Sequence, residues 1–195
     1  MLGFNRDSVI NDVFNPLKIT PKSYIEFTVG KLRGTGMYKF EKIIEMNVGK
    51  GPYARYIIYS QSEDAEYVLE VYQNNNQSCE TYLYDMVDTI PFDEDFLMNV
   101  AGQKFITSPD GIEYERSIMP HNDGRIDGVS GSIKVYDIQS DRVEREVGIK
   151  VWDYYRTVDN MEEIFNLEML EDNGMFRIFV GEMIEEVFYD VLQGK

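Results

Sequence analysis

Apolar and polar residues alternate along most of this chain with a period of two, the pattern of strands with one face buried. Tyr24, Glu26 and Thr28 alternate with Ile25, Phe27 and Val29. A further strand is predicted over residues 40–46, and the turn signals Gly49-Lys50-Gly51-Pro52 close it. Residues 55–75 then read as a hairpin. Tyr53 and Tyr56–Tyr59 form its outgoing strand, Ser60–Asp64 the turn, and Glu66–Tyr72 the return, with Tyr67, Leu69 and Val71 on one face. Alternation resumes over Glu80–Val87. In the second half, strands are predicted at 104–107 and 112–118. Between them lies Ser108-Pro109-Asp110-Gly111, where proline sets φ and glycine takes the positive φ of a tight turn. Strands over 132–138 and from 143 past Trp152 follow. Asn173-Gly174 marks a last hairpin before a return strand at 175–180.

The pattern changes period in three places. Val9, Ile10, Val13 and Phe14 fall on one face of a helical turn or two, and Asn15-Pro16 ends that segment. A short helix is predicted over Asp95–Val100, capped by Asp93-Glu94-Asp95. Met183, Ile184, Val187, Phe188, Val191 and Leu192 form an apolar stripe at helical spacing. Glu182, Glu185 and Glu186 stand in its first turns, which predicts an amphipathic C-terminal helix.

The hairpin at 55–75 has an echo at Lys150–Asn173. With Glu70 set against Glu168, Tyr67 pairs with Phe165, Leu69 with Leu167, Val71 with Met169 and Tyr72 with Leu170. The expected fold is therefore mainly β (α+β), with two related antiparallel lobes. An arm at 1–15 precedes a first lobe at 16–101 and a second at 102–195 that carries the C-terminal helix, the two lobes being separate or one continuous domain.

Composition narrows the function classes. The 195 residues include 14 Tyr and 11 Phe, which suit pleated surfaces better than helix bundles. Nineteen Lys and Arg against 35 Asp and Glu leave a formal charge of −16, which repels nucleic acid and anionic lipid and suits a basic protein or a cation. The single cysteine, Cys79, allows no intramolecular disulfide. With no signal peptide and no long apolar run, a cytoplasmic protein without a transmembrane segment is expected.

Candidates for chemistry are few. His121 is the sole histidine and lies in a loop between Pro120 and Asn122, away from any nucleophile motif. Cys79 has no base beside it. Gly30-Lys31-Leu32-Arg33-Gly34-Thr35-Gly36 lacks phosphate-loop spacing and reads as a flexible turn. Asn122-Asp123-Gly124 with Asp127-Gly128 misses the EF-hand pattern and reads as two Asx-Gly turns. Glu70 and Glu168 would make an acid–base pair if both entered one cleft, but alternation places them on the solvent face. No catalytic residue, cofactor or metal site is expected.

Pro16-Leu17-Lys18-Ile19, the Asp110, Gly111, Tyr114 and Arg116 block, and Tyr154-Tyr155-Arg156 ahead of Glu163 and a hairpin ending at Val180-Gly181 come in an order that resembles the YjfK-like bacterial family of domains of unknown function. That resemblance implies a cytoplasmic bacterial protein acting beside PspA-like membrane-stress or membrane-remodelling coat proteins. The reading is a non-enzymatic interaction module that docks a basic or membrane-associated protein through Val9, Ile10, Val13 and Phe14 or through Met183, Ile184, Val187, Phe188, Val191 and Leu192. Its alternatives are an acidic DNA mimic and a hydrolase using strand carboxylates.

Overall fold

The computed structural model describes residues 9–28, 36–49, 51–73, 77–116 and 127–194. The loop from Gly30, His121 and the Asn122-Asp123-Gly124 turn fall outside them, apart from Gly36. The strands come in the order β1 (Ser23–Phe27), β2 (Gly36–Val48), β3 (Gly51–Ser60), β4 (Ala65–Gln73) and β5 (Cys79–Ile90). After a short helical segment follow β6 (Phe105–Thr107), β7 (Glu113–Arg116), β8 (Val129–Asp137), β9 (Arg142–Val158), β10 (Met161–Leu170), β11 (Phe176–Ile184) and β12 (Tyr189–Gln193).

Every pairing is antiparallel, and eight strands close into a barrel in the order β2-β3-β4-β5-β11-β10-β9-β8, with β8 returning to β2. The wall consists of two four-strand meanders, β2–β5 and β8–β11, joined edge to edge. The halves 16–101 and 102–195 thus contribute strands to one closed sheet. The segments matched around Glu70 and Glu168 are β4 and β10, each the third strand of its meander. Bulges at Glu41, Val87 and Glu144, where the register skips a residue, supply local twist for closure.

Turn chemistry sets the hairpins. Asp159 and Asn160 both adopt positive φ and join β9 to β10 with a two-residue loop, the geometry whose twist matches paired strands. Gly111 takes φ +81 at the end of the Ser108–Gly111 turn, and its N–H bonds the Ser108 carbonyl at 2.9 Å. The helical segment over 94–101 is one α-turn continued as a π-turn. Its N-cap is Asp93, which accepts from the Asp95 and Phe96 amides.

The exterior of the barrel is not all solvent-facing. On one side β1 and β12 lie over the wall. Ile25, Phe27 and Tyr189 pack there with Val13 on Tyr38, Phe40, Tyr56, Leu69 and Leu83. On another side Ala101, Ile106 and Tyr114 cover Trp152, Tyr154, Phe165, Leu167 and Phe176. Several wall strands are consequently buried on both faces.

Two expectations are corrected. Residues 182–193 form no helix. β11 runs on to Ile184, a single 3-10 turn occupies Glu186–Phe188, and β12 then pairs with all of β1. Ladder hydrogen bonds and the burial of Tyr189 under that pairing override the local helical period. The second correction concerns Glu70 and Glu168. They are 2% and 0% exposed instead of facing solvent, because closure turns the polar face of each strand into the lumen.

Candidate functional site

The lumen is organised by one arginine. Arg55, on β3, shares a face with Tyr53 and Ile57, and register places it directly opposite Glu70 on β4. Its Nε donates to Glu70 Oε2 at 2.5 Å, its Nη1 to Glu168 Oε1, and its Nη2 to Asn166 Oδ1 at 3.2 Å. β3 and β10 are not neighbours in the sheet, so these contacts cross the barrel interior. Arg177 Nη2 donates to the other Glu168 oxygen at 2.6 Å. Asn166 Nδ2 donates to Asp153 Oδ1 at 2.6 Å, and the Tyr84 hydroxyl donates to Glu70 Oε1 at 3.3 Å. The Arg55 guanidinium also lies 5.7 and 5.4 Å from the ring centroids of Tyr84 and Phe179.

The electrostatics follow from this belt. Burial opposes charge on Arg55, but Glu168 and Glu70 outweigh it and hold the guanidinium well above its ordinary range. Burial likewise opposes charge on Glu168, and Arg55 with Arg177 overcomes it to hold the carboxyl below its usual value. Among the described residues, no guanidinium is hydrogen-bonded to Asp153. Burial, then repulsion from Glu70, pushes it up to about 6, against the pull of Asn166 and Arg55. A buried ion network of this kind costs desolvation and contributes little net stability while intact, but losing one member leaves an uncompensated charge.

The belt divides the lumen into two chambers of opposite character. Toward the start of β5 lies a chamber of about 690 Å³, walled by Tyr72, Tyr82 and Tyr84. Its acidic groups are Glu70, Glu80, Glu162 and Asp153, and no Lys or Arg lines it among the described residues. Tyr72 stands edge-on to Tyr82 at 6.2 Å, Tyr82 lies 6.3 Å from Tyr84, and Tyr53 backs Tyr72 in a 4.5 Å stack. Burial first, then Glu70, raises the Tyr72 and Tyr84 hydroxyls well above the normal range, so these rings stay neutral. Toward the far end of β5 lies a chamber of about 330 Å³, whose lining combines aliphatic side chains and Phe179 with charged groups that include Arg177, Glu66 and Glu144.

The docking residues expected from sequence do not share one surface. Val13 is buried, and Ile10 and Phe14 pack beside it on the same cluster. Val9 opens the single 3-10 turn of that segment. Ile184 and Val191 also pack on that cluster, and Phe188 is half-buried. Met183, Val187 and Leu192 remain exposed, Val187 at 73%. The Cys79 thiol is pushed up by burial and by Glu186, whose Oε1 accepts the Cys79 amide at 2.5 Å, which disfavours the thiolate. Among the described residues no group of three or more His, Cys, Asp or Glu is placed to hold a metal ion, and no helix is long and apolar enough to cross a membrane.

Sequence reasoning missed Arg55, Asn166, Asp153 and Arg177. One signal was available for the first: a turn over 60–64 sets Arg55 against Glu70, an opposite-charge cross-strand pair on a face with apolar neighbours. Comparison with protein-family models, with curated proteins and with solved structures finds no match.

Proposed function

We propose that this protein is a non-enzymatic binding barrel that takes a small organic ammonium ion into its tyrosine-walled chamber. The observation that carries this reading is the coincidence of tyrosine rings, Tyr72, Tyr82 and Tyr84 among them, with four carboxyl groups around one cavity that no Lys or Arg lines among the described residues. Ring faces attract a desolvated cation by about 0.5–2 kcal/mol each. Of the surrounding carboxylates, Glu80, Glu162 and Asp153 supply the counter-charge. Glu70 and Glu168 hold this wall in place: both are committed to Arg55, which suits them to a fixed scaffold and not to an acid–base pair. The formal charge of −16 adds long-range attraction for a cation.

Calorimetric titration with choline and with its neutral carbon isostere tests the reading. Saturable binding of choline alone is the expected result. Glu162→Gln and Tyr82→Leu each weaken it. Equal binding of the two compounds, or binding of neither, refutes the cation site. Docking of a protein partner is a second reading, favoured by the exposed Met183, Val187 and Leu192 near the end of the chain. Loss of a co-purifying coat protein on Val187→Asp substitution tests that reading and the role implied by the family resemblance.

A further inference from the structure

The opposite chamber differs in chemistry and carries its own ligand. We infer that it is a site for an organic monoanion with an apolar body, of the class of medium-chain carboxylates. Its apolar wall is formed by Ile44, Met46, Ile57, Val68, Val135 and Phe179. These are aliphatic or aromatic groups, and an alkyl chain displaces water from them at no polar cost. Its volume of about 330 Å³ lies at the lower end of the ~300–1,000 Å³ range of small-molecule pockets, which selects a short chain over a long one.

Arg177 supplies the recognition. Its Nη2 is committed to Glu168, and its guanidinium lies 5.6 Å from the Phe179 ring centroid. Its side chain stays 21% exposed and lines the chamber, although its Nε is itself buried. A guanidinium carries five donors, and the one bound to Glu168 leaves others for a ligand carboxylate. The other basic residues of this chamber are already engaged. Lys42 holds Glu144 at 2.8 Å, Arg145 holds Asp172, and Arg55 spends its donors on the central belt. Glu66 and Glu144 also line the chamber, and their charge disfavours a ligand with a second negative group. The geometry therefore fits one carboxylate on Arg177 with its chain along the aliphatic wall. This site stands on a different observation from the ammonium site and is read separately.

The experiment is calorimetric titration of the full chain with decanoate, with decyltrimethylammonium as the matched cation and acetate as the head group alone. Decanoate binds one to one, and acetate binds at least roughly tenfold more weakly because it lacks the buried chain. Arg177→Lys keeps the charge but removes the planar donor fork, and weakens decanoate by about tenfold. Val135→Phe fills the aliphatic wall without touching the ion belt. It abolishes decanoate binding and leaves choline binding in the other chamber unchanged, so it decides the matter even if Arg177→Lys does not fold. Absence of saturable decanoate binding, equal binding of decyltrimethylammonium at the Val135 wall, or decanoate binding that survives Val135→Phe overturns the inference. Failure of choline alone leaves this site standing.

Discussion

Asp153 links the lumen to pH, and replacing it with asparagine isolates that link. Its carboxyl sits at about 6 instead of 3.8 because burial and Glu70 disfavour the anion. Between about pH 4 and 6 the folded protein keeps this proton while the unfolded chain has lost it, so stability falls as pH rises through that window and levels off above it. A shift of about two units corresponds to about 3 kcal/mol. The chamber opens to water beside Asp153, which reduces the penalty to about 2–3 kcal/mol. Asp153→Asn keeps an oxygen to accept the 2.6 Å bond from Asn166 and removes only the charge. The variant is expected to be more stable by about 2–3 kcal/mol at about pH 7.5, a rise in Tm of roughly 5–10 °C for a chain of this size. The gap narrows to about 1 kcal/mol at about pH 4.5, where the wild-type carboxyl is mostly protonated in the folded state. Thermal and urea unfolding at both pH values measure it. Choline affinity reads the same charge in the other direction: it falls below about pH 6 in the wild-type protein and is weaker and flat with pH in the variant. An Asp153→Asn protein no more stable than wild type at about pH 7.5, or a gain of the same size at both pH values, refutes the electrostatic account.

Other variants probe the frame. Arg55→Met leaves Glu70 buried without its cation while Glu168 keeps Arg177, and costs about 3–5 kcal/mol in urea unfolding, whereas combining it with Glu70→Leu recovers most of that loss. Gly181→Ala places a Cβ 2.4 Å from the Leu83 carbonyl oxygen, backbone that cannot yield without breaking the β5–β11 ladder; a clear loss of Tm is expected. Val187→Asp, at a position 73% exposed, changes stability by less than about 0.5 kcal/mol by the same measurement. Arg145→Ala removes a pair that is more than a third exposed on both sides and shifts stability by no more than about 1 kcal/mol.

Local chemistry, legible in the sequence, determined most strands and several turns of this protein. Period-two alternation identifies β1, β4 and β5. Pro109 and Gly111 announce the β6–β7 turn, and Asp93 announces the short helix. The echo between β4 and β10 marks strands at matching places in two meanders. What alternation cannot say is which side of a strand meets water. A strand in an open sheet shows its polar face to solvent, but the same strand in a closed barrel turns that face inward. The Glu70 and Glu168 carboxylates therefore meet across the lumen on Arg55, although 98 positions separate them in the chain. The C-terminal stripe from Met183 to Leu192 satisfies a helical period equally well as β11, a turn and β12, and only the vacant edge of β1 decides between them. Closure is a property of the whole sheet, set by how β5 meets β11 and β8 meets β2, and no single segment encodes it.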